Sequence, residues 1–106
     1  MRTRSEQFDE LVLDALGAVE RRLGRELSEL EVAVEEVPPS DPAPWESGVA
    51  LGRLFPAEGK LPARLVVYRR PVQTRAGSRA ELSQLVQDVV AEQAARMLGM
   101  DPDDLL

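Results

Sequence analysis

Apolar side chains recur at helical spacing near both ends of the chain. When successive residues are placed about 100° apart, those before Gly24 form one stripe: Phe8, Leu11, Val12, Ala15, Leu16, Val19 and Leu23. Thr3 or Ser5 can cap the N-terminus of such a helix, and Gly24 can end it. The opposite side is largely charged. The pattern therefore predicts a scaffold helix that ends at about Leu23.

A second helix is predicted over residues 78–99. Ser78 and Glu81 have the Ser-x-x-Glu spacing of a capping box, and Gly99 marks the C-terminal end. The apolar face of this helix consists of Leu82, Leu85, Val86, Val89, Val90 and Met97. Gln93 lies in the middle of that face, Arg96 on its flank and Glu92 at its edge. An unpaired buried polar group costs about 1–3 kcal/mol, so these three residues are the best functional clue in the sequence.

Three strands are predicted between the helices. Residues 30–37 alternate, with Leu30, Val32 and Val34 on one face; residues 47–55 form a weaker strand containing two glycines. Residues 61–72 carry the strongest strand pattern, at 65–68, and Pro71 ends it. A turn at 57–60 favours antiparallel pairing of the last two strands.

The remaining segments are predicted as loops. Residues 38–46 contain four prolines and should form a stiff loop, with Trp45 packed beneath it rather than stacked on a ligand. Residues 73–77 connect to the last helix, and an acidic, helix-stopping tail follows Gly99. The predicted order of helix, three strands and helix indicates an α+β fold, with a small mixed or antiparallel sheet in a single domain, residues 1–106.

Composition excludes several function classes. The chain has 106 residues, a net charge of −6, and neither cysteine nor histidine, which removes thiolate chemistry and the commonest zinc ligand. The acidic charge argues against nucleic-acid or anionic-membrane binding. No apolar run reaches the roughly 18 residues of a membrane span, and the N-terminus lacks an apolar signal core. We expect a cytoplasmic protein that binds neither membrane nor nucleic acid.

An ordered set of short strings resembles the short bacterial zincin-like metallopeptidases, or minimal zincins. The strings are Glu-Gln-Phe-Asp-Glu-Leu-Val at 6–12, Val-Ala-Val-Glu-Glu at 32–36, Gly-Val-Ala-Leu at 48–51, and Leu-Val-Val-Tyr-Arg-Arg-Pro at 65–71. The resemblance implies a zincin-like minimal domain with an N-terminal helix, a three- to four-stranded sheet and a long C-terminal metal-binding helix. In that family the last helix carries HExxHxxGxxD, whose histidines and aspartate bind zinc while the glutamate acts as general base.

The resemblance places four other residues at the functional positions of that motif. Aligned on Gly99, the histidines correspond to Glu92 and Arg96, the glutamate to Gln93 and the aspartate to Pro102. Arginine has no lone pair for a metal, proline offers no side-chain donor, and an amide cannot take a proton from water. We therefore expect no zinc cofactor and no peptidase activity.

Two interpretations of the polar residues of this helix are open. In the first, the i,i+4 pair Glu92–Arg96 and the Gln93 amide form a hydrogen-bonded network that fills the former metal cleft. In the second, Glu92 and Arg96 point into solvent and leave Gln93 half buried. The first is our hypothesis, because it explains Gln93.

Three function classes follow. The first is a catalytically inactive binding domain, whose edge strand, with Val49 and Leu51, pairs with an extended peptide or protein partner. The second is a metal-dependent hydrolase that uses the carboxylates of Glu92 and the 101–104 tail. The third is a nucleic-acid binder using Arg64, Arg69, Arg70, Arg75 and Arg79, although a solvated charged surface explains that cluster better. We expect the first.

Overall fold

The computed structural model describes residues 2–39 and 50–106. Over these ranges the elements are α1 (Arg4–Leu23), β1 (Leu30–Glu35), β2 (Gly52–Phe55), β3 (Ala63–Tyr68), α2 (Arg69–Arg75), α3 (Arg79–Leu98) and a 3₁₀ helix (Pro102–Leu105). The predicted α+β fold, with an N-terminal helix, a small sheet and a long C-terminal helix, is confirmed. None of the described helices is both long and apolar enough to cross a bilayer.

The three described strands form one mixed sheet in the order β1-β3-β2. β3 pairs in parallel with β1, from Leu30 opposite Ala63 to Glu35 opposite Tyr68. β2 pairs with β3 in the antiparallel sense, as the turn between them predicts. The chain between β2 and β3 is a tight hairpin, whereas the parallel pairing of β1 and β3 requires the longer connection that contains β2.

Both long helices lie on one side of the sheet. α3 packs against β2 and β3, and α1 packs against α3. The core between them contains Phe8, Val12, Val19, Leu65, Val67, Val86 and Val90, all nearly inaccessible. The predicted inner face of β1 is confirmed, because Leu30, Val32 and Val34 all contribute to this core.

Local capping signals account for the ends of both long helices. The Thr3 hydroxyl accepts a hydrogen bond from the Glu6 N–H at 3.1 Å, and Gly24 closes α1 in the left-handed conformation. The Ser78 hydroxyl caps α3 by accepting from the Glu81 N–H at 3.2 Å. The Glu81 carboxylate accepts from the N–H of Gly77 at 2.6 Å, one residue before the cap.

The predicted strand over residues 61–72 is too long, and the predicted loop at 73–77 is largely wrong. β3 ends at Tyr68, and residues 69–75 form the short helix α2. Pro71 is the third residue of that helix, where proline is tolerated because the N–H groups of the first turn have no intrahelical acceptor. Pro71 therefore lies in the first turn of a helix instead of ending a strand.

Two further predictions are only partly met. The predicted strand at 47–55 is confirmed as β2 over its last four residues, and residues 47–49 lie outside the described ranges. Most of the predicted proline loop, including Trp45, also lies outside them. The acidic tail forms the 3₁₀ helix, and Leu105 is 1% exposed against α1 and α3.

Candidate functional site

Gln93 is the one buried polar residue of the described core. Its side chain is 6% exposed, one turn beyond Val89 on the face of α3 that packs against the sheet. No described group donates a hydrogen bond to its Oε1 atom. Its central position on the apolar face was predicted from periodicity, and the structure confirms it.

The strand β2 passes close to α3 at this point because Gly52 has no side chain. A Cβ atom at residue 52 would lie 2.6 Å from Cγ1 of Val89 and 3.8 Å from Cγ of Gln93. It would also lie 3.1 Å from the carbonyl oxygen of Val66 on β3. Glycine at this position therefore allows the close approach of backbone to helix that strand glycines often mark. The side chains of Val89 and Gln93 therefore lie beside β2.

Glu92 and Arg96 form the predicted i,i+4 ion pair, with 3.5 Å between Arg96 Nη2 and Glu92 Oε1. Their side chains are 53% and 65% exposed, and neither bonds to Gln93. The hypothesis of a network joining the three residues is therefore wrong. Around the helix axis, Glu92 lies about 100° and Arg96 about 60° from Gln93, so the pair can point outwards while the amide points inwards. An exposed pair of this kind contributes about 0.3–0.5 kcal/mol.

Gly99 and Pro102 turn the chain after α3 and supply no side-chain donors. Gly99 adopts a left-handed conformation with φ of 67°, and its N–H donates to the carbonyl of Ala95. Pro102 begins the 3₁₀ helix, and the Asp101 carboxylate caps that helix by accepting from the Asp103 N–H at 2.9 Å. Among the residues that the structure describes, no three Asp or Glu side chains are grouped to hold a metal ion.

β2 presents its outward backbone groups at Gly52 and Leu54. The Tyr68 N–H donates to the carbonyl of Leu51 at 2.9 Å, so Leu51 turns its carbonyl towards β3. Because hydrogen-bonded and non-bonded pairs alternate in an antiparallel ladder, Gly52 and Leu54 turn their N–H and C=O groups away from β3. No described residue bonds to those groups. Of the two candidates for peptide pairing, Leu51 points its carbonyl inward, and Val49 lies outside the described residues.

The arginines near α2 are bound by acidic residues at the end of β1. Arg69 donates from Nε to Glu36 at 2.9 Å, and Arg70 lies 3.4 Å from the same carboxylate. Arg64 lies 3.8 Å from Glu35. The pKa of Glu36 is lowered, chiefly by the hydrogen bond from Arg69. Partial desolvation raises this pKa, and Arg70 lowers it further. Three of the five arginines proposed for nucleic-acid binding are therefore paired with glutamates.

Sequence reasoning missed two residues that shape this region. Gly52 was interpreted only as a sign of a weak strand, although a glycine within a strand also signals close approach of another element. The position of Glu36 at the start of α2 had no signal in the sequence, because α2 itself was not predicted. Both contacts depend on residues far apart in the chain.

A family described as zincin-like metallopeptidase matches residues 27–106, which include the sheet, α3 and the 3₁₀ helix. The match begins after α1, so the string at 6–12 lies outside it. No curated protein matches the chain.

Proposed function

The chain belongs to the zincin-like metallopeptidase family, and we propose that it acts as a peptide-binding domain without a catalytic zinc site. Two neighbouring features carry this proposal: Gln93, whose buried Oε1 atom has no partner among the described residues, and the outer edge of β2, whose backbone groups at Gly52 and Leu54 bond to no described residue. One feature replaces the catalytic base with an amide. The other offers backbone hydrogen bonds to an extended chain.

The side chains present do not fit the zinc ion that the family implies. A catalytic zinc site needs three protein donors and one open position. Of the three ligand positions, Glu92 has a carboxylate, Arg96 a cation and Pro102 no donor. The single carboxylate is exposed and paired with Arg96, so binding a metal there would require breaking that pair beside a positive charge. This donor chemistry supports the loss of the metal site.

Gln93 could not replace the general base of the family reaction even with a metal nearby. An amide carbonyl accepts hydrogen bonds but has no useful basicity near neutral pH. Its Oε1 atom is buried and accepts no hydrogen bond from a described group. The amide position is therefore unsuited to catalysis.

The edge of β2 supplies the main-chain groups for peptide recognition. An extended peptide that adds a strand would exchange hydrogen bonds with Gly52 and Leu54, in the manner of β-strand addition. Close packing on α3 fixes the position of this edge, because Gly52 has no side chain to hold β2 away from Val89. A fixed edge reduces the ordering cost that a flexible strand would incur on binding.

Backbone pairing at this edge can be tested with N-methylated peptides. A panel of extended peptides is titrated into ¹⁵N-labelled protein, and a binder is then resynthesised with N-methyl groups on its odd or its even residues. Strand addition uses the N–H groups of alternate residues, so one series should lose binding and the other should keep it. The amides of Gly52 and Leu54 should shift on binding.

β1 provides the internal control, since it is the other outer strand of the described sheet. Its amides should stay unchanged. Equal loss of binding in both methylated series, or a peptide response confined to β1, would contradict pairing at β2.

A hydrolase based on carboxylates has less support. Asp101 is engaged as the cap of the 3₁₀ helix, and Glu92 is paired with Arg96. The described residues bring no third carboxylate to these two.

A further inference from the structure

The sheet face that points away from α3 carries a groove of about 400 Å³. Cross-strand partners share a face, and Glu31 of β1 and Phe55 of β2 both lie opposite Arg64 of β3. All three line the groove, together with Tyr68 and residues of the hairpin that joins β2 to β3. We call this site the outer groove. Its volume is in the range of sites that bind small ligands or short peptide segments.

Two large apolar side chains among the described residues are exposed in the outer groove. Leu61 is 70% exposed and Phe55 is 45% exposed. Leu61 cannot readily fold inwards, because its backbone exchanges two hydrogen bonds with Glu58, at 2.9 and 3.1 Å. Gly59 has φ of 59° and Lys60 has negative φ, a combination typical of the tight type II′ hairpin turn. The backbone therefore presents a leucine side chain to solvent at a fixed position.

The described residues that line the outer groove carry more negative than positive charge. They include three glutamates, Glu31, Glu35 and Glu58, and one arginine, Arg64. Arg64 lies 3.8 Å from Glu35, whereas Glu31 and Glu58 have no ion-pair partner among the described residues. The chain as a whole carries a net charge of −6, so a second copy would be repelled.

We propose that the outer groove binds a segment of a partner protein in which lysine or arginine residues flank an apolar side chain. The apolar residue would pack against Phe55 and Leu61, and the flanking cations would lie near Glu31 and Glu58. Binding here and strand addition at β2 use different parts of the sheet, so either can occur without the other.

The probe is the peptide acetyl-Ser-Lys-Leu-Lys-Ser-amide, with a twin that has glutamate in place of both lysines. Each is titrated into ¹⁵N-labelled full-length protein at low ionic strength. The lysine peptide should shift the amides of residues 55–64 and bind more weakly as salt is added, because exposed charge pairs are screened. The glutamate twin should not bind. Binding of both peptides with equal affinity would overturn the proposal, as would no response at residues 55–64.

Matched variants distinguish binding in the outer groove from a nonspecific effect of net charge. The double variant Glu31→Lys/Glu58→Lys should weaken binding of the lysine peptide about tenfold, because two exposed attractions to its lysines are replaced by repulsions. The pair Asp9→Lys/Glu26→Lys changes net charge equally outside the groove and should retain affinity. Leu61→Ser should weaken binding, and Leu13→Ser, at a residue 63% exposed on α1, should not. Equal effects of groove and control variants would overturn the proposal.

Sedimentation of the protein alone provides a further test. A monomer that binds the lysine peptide supports the assignment. A dimer that Leu61→Ser dissociates, and that does not bind the peptide, would show that a second copy occupies the groove.

Discussion

The carbonyl oxygen of Gln93 is buried without a hydrogen bond, and such an atom costs folding free energy. Alanine or an aliphatic residue at this position of α3 would avoid that cost, since the residues around it are apolar. Gln93 is therefore the position of the described core where an apolar substitution should increase stability.

Replacing Gln93 with methionine should stabilise the protein. The two side chains have similar volume, and the substitution removes the unsatisfied carbonyl, so we expect a gain of about 1–2 kcal/mol in the free energy of unfolding, measured in urea. Gln7→Met on the exposed face of α1 is the matched control and should change stability by less than about 0.5 kcal/mol. A clear loss of stability in Gln93→Met would indicate that the amide is paired in the free protein.

Glu36 stabilises the start of α2, although its side chain is exposed. α2 has no acidic residue in its first turn and no side-chain cap, and it begins with two arginines. That arrangement is unfavourable at the positive end of a helix. The Glu36 carboxylate, from the segment after β1, binds both arginines, and the backbone N–H of Arg70 donates to the Glu36 carbonyl at 3.1 Å. Glu36 thus replaces the missing acidic group of α2.

Stability should fall in acid, in part through Glu36. Its pKa is lowered on folding, chiefly by the hydrogen bond from Arg69, so the unfolded state binds its proton at higher pH than the folded state does. The stabilisation is complete above the ordinary glutamate pKa and is lost as the pH falls through the lowered value. Urea midpoints measured downwards from pH 7 should decrease less in Glu36→Gln than in the wild type.

Glu36→Gln should retain part of the acid dependence of stability, because the hydrogen bond from Arg25 also lowers the pKa of Glu29. Arg69→Gln removes the main partner of Glu36 and should flatten the same part of the profile. Parallel midpoint curves for the wild type and Glu36→Gln would contradict this role.

At the scale of elements, close packing between β2 and α3 depends on Gly52. Gly52→Ala would place Cβ 2.6 Å from the Val89 side chain and 3.1 Å from a backbone oxygen, and the oxygen cannot move without disturbing β3. We expect a loss of about 1–3 kcal/mol in the free energy of unfolding, the usual cost of overpacking.

Gly17→Ala is the control for that substitution. It lies within α1, and its added Cβ would approach only the flexible end of Arg21, at 3.3 Å. Alanine is a better helix former than glycine, so this variant should be more stable by about 0.5–1 kcal/mol. If Gly52→Ala were as stable as the wild type, β2 would have room to move away from α3.

The elements that the sequence predicts well are those with local signals. α1 and α3 have caps at both ends and one apolar stripe each, and both were predicted to within a residue or two. α2 was missed because Arg69, Arg70 and Pro71 have no helical stripe, and because Pro71 was taken as a strand terminator. The contact of Arg69 with Glu36, which lies 33 residues earlier in the sequence, helps to make this segment helical.

For the whole molecule, the sequence indicated the family, the single sheet and the burial of Gln93, but not how the site residues are arranged. Helical spacing predicted the Glu92–Arg96 pair, since both residues lie on one helix. It could not show that Gln93 faces Gly52, because that contact requires the position of β2 relative to α3. The outer groove likewise depends on cross-strand register, which only the folded sheet defines.

We expect this zincin-like domain to lack the zinc site of its family, and a zinc titration distinguishes loss of the site from its retention. Zn²⁺ is titrated calorimetrically into the wild type and into the triple variant Glu92→His/Arg96→His/Pro102→Asp, both checked for folding by circular dichroism. We expect no stoichiometric zinc in the wild type and one ion per chain in the triple variant, which regains three donors. One tightly bound zinc ion in the wild type would show that a metal site is retained, and failure of the folded triple variant to bind zinc would contradict the assignment of these positions.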